Sequence, residues 1–204
     1  MLTNRLDSAL SRPQRIVYSS ILAVCLILIY LLAFKGMRFF LVPSSSMEPT
    51  LVPPEYLITF EQEDYQRGDI VVLADPKMPE AYLVKRIVGV AGDTLSSRGG
   101  ALFINGLYAS EPYSAEPIDY IMDGYLIEEG EIFVLGDNRN ESVDSHNWEA
   151  DMPVANEAEL RALLIARPES VPRDSVVGKV RFVYLPFNKI RAIHSYSLTN
   201  LAGK

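Results

Sequence analysis

Tyr82-Leu83-Val84-Lys85-Arg86-Ile87-Val88-Gly89-Val90 has the pattern of a β-strand that is apolar on both faces. Side chains alternate along a strand, so Leu83, Lys85, Ile87 and Gly89 share one face and Tyr82, Val84, Arg86 and Val88 the other. Two adjacent cations therefore sit on a strand without a polar side, and at least one is held against apolar neighbours. Arginine keeps its charge in proteins, whereas a desolvated lysine is pushed towards a neutral amine able to accept a proton. The opposing reading is that both side chains snorkel past their neighbours to water. The strand alone leaves both open.

Working outward, similar short apolar runs recur between turn signals: Tyr56–Phe60, Ile70–Leu73, Leu102–Ile104 before the hairpin marker Asn105-Gly106, Tyr125–Ile127, Glu131–Leu135 and Val176–Leu185. This spacing predicts a mainly β chain of antiparallel sheets or a barrel rather than alternating strands and helices. One helix is expected within an insertion at about 149–169, where Asn156 and Glu159 form a capping-box pattern, Glu157–Ala166 are good helix formers and Pro168 is a stop. Leu160, Leu163 and Leu164 give that helix an apolar face, suited to docking on the core or to a partner or lid.

The N-terminal region is different. Ile16–Phe34 carries no charge and as a helix spans roughly 28 Å, close to the hydrocarbon thickness of a bilayer. A cleaved secretory signal would have the same basic start, here Arg5, Arg12 and Arg15, but a shorter apolar core and a small-x-small site, while this run ends Ala33-Phe34-Lys35-Gly36. An uncleaved transmembrane helix at 16–34 is the expectation, ahead of a buried core helix, which would need a domain able to surround it. Three arginines precede the span and Lys35 and Arg38 follow it, a slight bias towards an N-terminus inside.

Beyond the anchor lie about 165 residues, enough for one domain with a small insertion. A net charge of −7 and a pI near 4.9 argue against a nucleic-acid partner. The single cysteine, Cys25, lies in the apolar run, and the two histidines, His146 and His194, are too few for a His-rich zinc site. Neither a metal nor a cofactor is expected.

Ser44-Ser45-Ser46-Met47-Glu48-Pro49 follows the anchor closely and offers a serine nucleophile. A serine hydroxyl needs a base, and with so few histidines a neutral Lys85 is a credible one. The segment Gly136-Asp137-Asn138-Arg139-Asn140-Glu141-Ser142-Val143-Asp144-Ser145-His146 is dense in polar groups and turn formers. On composition it is an exposed loop with side-chain-capped turns.

Together these segments resemble the type I signal peptidases, membrane-anchored serine proteases that remove signal sequences from exported proteins. The resemblance rests on Pro43–Leu51, Arg67-Gly68-Asp69-Ile70-Val71, Tyr82–Gly89 with Gly92-Asp93, and Gly136-Asp137-Asn138-Arg139 with Ser142, Asp144 and Ser145; Asn105-Gly106 and Gly178-Lys179-Val180 also fall in the family's order. It implies Ser46 as nucleophile, Lys85 as general base, and an oxyanion hole formed by the Ser44 hydroxyl and the Ser46 amide. It also implies that Ser142 orients the lysine and Asp144 braces the site, with Phe40, Val42, Pro43, Leu83 and Val84 binding substrate.

The family fold is a β-rich catalytic core with a small inserted β subdomain, which would divide this chain into a cytoplasmic segment 1–15, the span 16–34 and a catalytic domain 38–204 with its subdomain at about 95–130. Partners would be pre-proteins carrying signal peptides and the lipid bilayer. The location would be the bacterial plasma membrane, N-terminus cytoplasmic and catalytic domain on the periplasmic or extracellular side.

This chain departs from the family pattern in two places. His146 stands where the family commonly has arginine beside the aspartate, and the stretch at about 149–169 is extra. Rival readings fit the residues less well. A Ser46/His146/Asp144 hydrolase lacks the Gly-x-Ser-x-Gly elbow, and a penicillin-recognising enzyme would need Ser-x-x-Lys where Ser46 is followed by Met47-Glu48-Pro49. The others are a pilin or conjugation-type processing peptidase, a mitochondrial inner-membrane peptidase and a non-catalytic anchored binding module.

Overall fold

The computed structural model describes residues 12–33, 36–148, 168–196 and 198. The expected capped helix at 156–166 lies outside the described residues. Two units result, one before and one after residue 35. In the first, α1 (Arg12–Ala33) is a single helix long and apolar enough to cross a membrane. Its Ser19 hydroxyl is satisfied within the helix, donating to the Ile16 carbonyl at 2.9 Å.

The second unit is mainly β, as the recurrent apolar runs predict. Its strands are β1 (Met37–Val42), β2 (Glu55–Phe60), β3 (Ile70–Ala74), β4 (Tyr82–Val90), β5 (Thr94–Arg98), β6 (Ala101–Ile104), β7 (Leu107–Tyr108), β8 (Met122–Leu126), β9 (Glu131–Leu135), β10 (Val171–Pro172), β11 (Val176–Leu185) and β12 (Arg191–Ala192). An eight-stranded antiparallel sheet runs β1-β2-β11-β3-β4-β9-β10 with β12 added to β11. A four-stranded antiparallel sheet, β7-β6-β5-β8, is made by the chain between β4 and β9.

Strands β3, β4 and β9 are covered on both faces, which explains their near-continuous apolar runs, whereas towards β1, β2 and β11 one face is open and Phe39, Leu41, Tyr56 and Phe182 are exposed. On β3, Ile70 and Val72 enter a core with Val42, Met47, Leu51, Leu57 and Val180. Val71 and Leu73 point the other way, into a core with Ile87, Ile132, Val134 and Trp148. A further core joins the two sheets, bringing Val88, Phe133 and Leu135 against Leu95, Leu102, Ile104 and Ile127.

Register then fixes where the polar chemistry falls. Strand β9 ends at Leu135, whose partner on β4 is Arg86. Lys85 is therefore one residue past the end of that ladder, beside the loop that begins at Gly136.

The C-terminal segment closes over the start of β3. The Tyr196 amide donates to the Gly68 carbonyl at 3.2 Å, and Leu198 is buried in the core shared by the two sheets. Gly68 has φ +89°, and a Cβ added there would lie 1.5 Å from the Tyr196 carbonyl oxygen. Backbone conformation and backbone crowding thus both demand glycine. Gly68→Ala is expected to cost about 1–3 kcal/mol or more of stability, read as a lowered denaturant midpoint of the detergent-solubilised chain; an unchanged midpoint would contradict this packing of the tail.

Candidate active site

The serine-rich segment leaves β1 at Val42 and forms a single 3₁₀ turn, Ser45–Met47. Met47 and Leu51 are completely buried and pin the turn to the core, while Ser44 is exposed and Ser46 half-buried. Alternating anchor and serine in this way presents hydroxyls at the surface on a fixed backbone. The Ser46 hydroxyl lies 3.3 Å from the Ser44 hydroxyl.

The polar loop after β9 grips this turn. The Asn138 amide donates to the Ser46 carbonyl at 3.1 Å and the Asn138 side chain to the Ser45 carbonyl at 3.3 Å. The Thr50 hydroxyl donates to Asp137 at 2.5 Å. Gly136 allows the closest approach: a Cβ there would lie 2.3 Å from Ser142 Oγ and 2.4 Å from the Ser46 carbonyl oxygen. The serine turn and Ser142 thus converge on one side of a residue that has no room for a side chain. Composition favoured an exposed loop here. Instead Asp137, Arg139, Ser142, Asp144, Ser145 and His146 are buried, because their polar groups are paired with one another and with neighbouring segments.

Neither cation of β4 snorkels; Lys85 and Arg86 are only 3% and 2% exposed. Arg86 clasps Asp137 through two hydrogen bonds, Nε to Oδ1 at 2.7 Å and Nη2 to Oδ2 at 2.6 Å, and donates a third to the Gly68 carbonyl at 2.8 Å. Lys85 has a leaner set of partners. Its Nζ lies 3.0 Å from Ser142 Oγ, and Ser142 spends its own proton on Asp144 Oδ2 at 2.5 Å. Ser142 therefore accepts from the lysine, which fixes one amine proton on the Ser142 side.

The Asp144 carboxylate is saturated. Oδ2 also accepts the Gly136 amide at 2.7 Å, and Oδ1 accepts the His146 amide at 3.2 Å and meets His146 Nδ1 at 2.7 Å. A carboxylate oxygen at that distance needs a proton on Nδ1, which both the neutral and the charged ring can supply. One histidine thus delivers, from ring and backbone, two donors where a family arginine would offer its fork. The far face of the ring stacks on Tyr120, with centroids 3.9 Å apart and planes 5° from parallel.

Burial lowers the Lys85 pKa below the ordinary lysine value, against the opposing pull of Asp144, Asp75 and Asp137. For Asp144 burial acts upward, but the hydrogen bond and charge of His146, then Lys85 and the Ser142 hydroxyl, outweigh it and hold the carboxyl low.

Of the residues expected to bind substrate, Phe40 and Val84 pack beside buried Val42 on one face of the sheet, and the Phe40 ring meets Tyr82 edge-on at 5.3 Å. Pro43 is exposed at the end of β1. Leu83 is separated from the others and packs into the core on the opposite face. The Ser46 hydroxyl has Ser44 as its hydrogen-bond partner among the described residues, and Lys85 Nζ has Ser142. No direct bond joins Ser46 and Lys85 among the described residues, and bonds between reacting groups commonly tighten only once substrate is bound. His146 lies behind Asp144 under Tyr120, so a Ser46/His146/Asp144 relay is not assembled.

The partners missed from sequence are Thr50 and Arg86 on Asp137, Glu111 on Arg139, and Tyr120 on His146. Asp137 and Arg139 stood in a recognised motif; nothing local in the sequence pointed to the residues they pair with.

Residues 14–185 match the family model described as signal peptidase, peptidase S26. The chain is 32% identical over 203 residues to signal peptidase I of Bacillus licheniformis, covering 93% of this chain and 95% of that one. It is 32% identical over 205 residues to probable signal peptidase I-1 of Synechocystis sp., covering 94% of each. Thylakoidal processing peptidase 1, chloroplastic, of Arabidopsis thaliana is 32% identical over 163 residues, 73% of this chain but 42% of that longer one.

A lysine whose pKa is lowered on folding binds fewer protons folded than unfolded, so its burial destabilises the fold most at low pH, and the cost fades as pH rises from the folded towards the unfolded value. Lys85→Met, close in volume and uncharged, is expected to melt above the wild type, with a gap that narrows across the alkaline range. A gap independent of pH would mean that Lys85 is not held as a desolvated amine.

Proposed function

The chain belongs to the signal peptidases of family S26 and is a type I signal peptidase, a serine endopeptidase that removes signal peptides from pre-proteins; on that premise we propose that Ser46 is its nucleophile and Lys85 its general base. The observation that carries this assignment is the buried Lys85 amine bonded to Ser142, whose single proton is committed to Asp144. That arrangement leaves the lone pair of a neutral amine available to the nucleophile side.

In this mechanism Lys85 Nζ takes the proton of the Ser46 hydroxyl as Oγ attacks the scissile carbonyl carbon. The negative charge moving onto the carbonyl oxygen is met by the Ser46 amide and the Ser44 hydroxyl. As the tetrahedral species collapses, the carbon–nitrogen bond breaks and the Lys85 ammonium returns its proton to the departing amine, the new N-terminus of the mature protein. Water, deprotonated by Lys85, then attacks the Ser46 ester; the bond from the acyl carbon to Oγ breaks, the Lys85 ammonium returns its proton to Ser46 Oγ, and the signal peptide leaves as a carboxylic acid. Ser142 and Asp144 keep the amine oriented through both halves, and His146 holds Asp144.

The substrate lies as an extended strand beside Phe40–Pro43 and Leu83–Lys85, gaining main-chain hydrogen bonds. Phe40, Val42 and Val84 leave room only for small side chains at the first and third positions before the cut. Membrane anchoring by the N-terminal helix reduces the search for signal peptides to two dimensions. The further reading is of a cytoplasmic segment 1–15, a span 16–34 in the bacterial plasma membrane, and an exported catalytic domain 38–204 that carries a subdomain at about 95–130 and an insertion at about 149–169.

Incubation of the detergent-solubilised chain with pre-proteins, each cut mapped by mass spectrometry, tests the activity. In that assay Ser46→Ala and Lys85→Ala are each expected to abolish processing while the domain stays folded, since nucleophile and base act as one unit. Lys85→Arg should be nearly as inert, because a guanidinium does not give up its proton. Activity within about tenfold of wild type in the Ser46 or Lys85 alanine variant would overturn the assignment.

The oxyanion role of Ser44 has its own signature. Ser44→Ala is expected to lower kcat by roughly 100- to 1000-fold with little change in KM, measured on a peptide spanning the cut site; an unchanged kcat would make Ser44 an ordinary loop residue.

A further inference from the structure

The chain between β7 and β8, residues 109–121, leaves the second sheet and runs along the loop that carries Asp137, Ser142 and Asp144. None of its residues has a part in the mechanism above, yet it meets that loop at several points. Glu111 receives both guanidinium ends of Arg139, at 2.8 and 2.7 Å, and Arg139 Nε donates to the Gly136 carbonyl at 2.9 Å. Arg139 is fully buried and its carboxylate partner nearly so. Asn140 is bonded at both ends of its amide, donating to the Pro117 carbonyl at 3.0 Å and accepting the Asp119 amide at 3.0 Å. Tyr120 closes the series with its stack on His146.

These contacts end on atoms that matter. Gly136 is the residue whose amide bonds Asp144 and whose missing side chain admits both Ser142 Oγ and the Ser46 carbonyl. His146 supplies two of the donors that saturate Asp144. Tyr120 shows what its contact is for: its ring is 5% exposed, yet its hydroxyl is buried without a hydrogen-bond partner among the described residues. An orphaned hydroxyl costs stability, so the ring, not the phenol oxygen, is what the site uses.

We infer that residues 111–120 form a positioning strap for the catalytic loop, in which Glu111 acts through Arg139 on the Gly136 peptide and Tyr120 acts through His146 on Asp144. The second sheet is then part of the catalytic apparatus rather than an appendage. The inference rests on the assignment of Ser46 and Lys85 as the dyad.

The test is steady-state cleavage of a peptide spanning a small-x-small site by the full detergent-solubilised chain, with rates expressed per folded molecule from near-UV circular dichroism. Tyr120→Leu, which keeps an apolar side chain and loses the stack, is expected to lower kcat by about 10- to 100-fold through misplacement of the base, with KM within about twofold of wild type. Tyr120→Phe, which keeps the stack and removes the orphaned hydroxyl, should restore wild-type kcat and melt no lower. Glu111→Gln probes the other tie independently and should also lower kcat rather than raise KM. Wild-type kcat per folded molecule in both Tyr120→Leu and Glu111→Gln, or a Tyr120→Phe variant as impaired as Tyr120→Leu, would overturn the strap. Ser46→Ala in the same assay separates the two levels: activity there defeats the dyad, whereas an inert Ser46→Ala beside unimpaired strap variants defeats only the strap.

Discussion

Removing the Lys85 amine from water is the constraint around which the second unit is arranged. An ammonium ion without a bonded counter-charge is costly in an apolar interior, and the least expensive response is to shed the proton. The neighbouring Arg86 cannot respond in that way. The two residues sit side by side on one strand and are equally buried, yet their surroundings differ as this chemistry demands. Arg86 receives a carboxylate through two hydrogen bonds, a backbone carbonyl, and the face of Tyr113 at 3.9 Å. Lys85 receives one hydroxyl oxygen. A carboxylate bonded directly to Lys85 would have fixed it as a cation; placing Ser142 between Lys85 and Asp144 avoids this and still orients the amine.

The loop from Gly136 to His146 holds two carboxylates with separate duties. Asp137 neutralises Arg86 and holds Thr50, tying the base-bearing strand and the nucleophile segment to the same point. Asp144 commits the Ser142 proton and is itself fixed by backbone amides and His146. Asp144 accepts four hydrogen bonds and Asp137 three, so both oxygens of each carboxylate are engaged, which is the condition under which buried polar networks make a site rigid rather than weak. Gly136 lets the two halves of the network approach, since even a methyl group at that position would separate Ser142 from the serine turn.

Much of the β architecture was legible because strands buried on both faces leave near-continuous apolar runs, while those with one open face still alternate between turn signals. Glu55–Phe60, Ile70–Ala74, Tyr82–Val90, Glu131–Leu135 and Val176–Leu185 fall where those runs lie. Thr94–Arg98 was not legible, since its outward positions are polar and its apolar content is a single leucine. Met37–Val42 was obscured because it follows the anchor, whose apolar character masks a strand boundary. In the site, residue types at short spacing could nominate Ser46 and Lys85. They could not pair Thr50 with Asp137 or Glu111 with Arg139, because those contacts arise from sheet register rather than local pattern. Leu83 shows the same limit: a strand reading places it near the cleft, but its alternation with Val84 sends it to the opposite core.

Rigid backbone on both sides of the site has a consequence for how it works. Lys85, the proposed base, is carried on a central strand, bonded to β3 on one side with β9 ending beside it. Ser46, the proposed nucleophile, is carried on a turn pinned by Met47 and Leu51 and clamped by Asn138. With both groups on fixed supports, little ordering is left for the moment of reaction, which is where preorganisation lowers a barrier. The mobile quantity is therefore the proton rather than the side chains. A desolvated lysine suits that requirement, because its neutral form is set by the burial that the fold maintains and not by an adjustable partner. The same burial opposes folding whenever the amine is protonated, so the desolvation that favours the neutral amine is drawn from the stability of the fold.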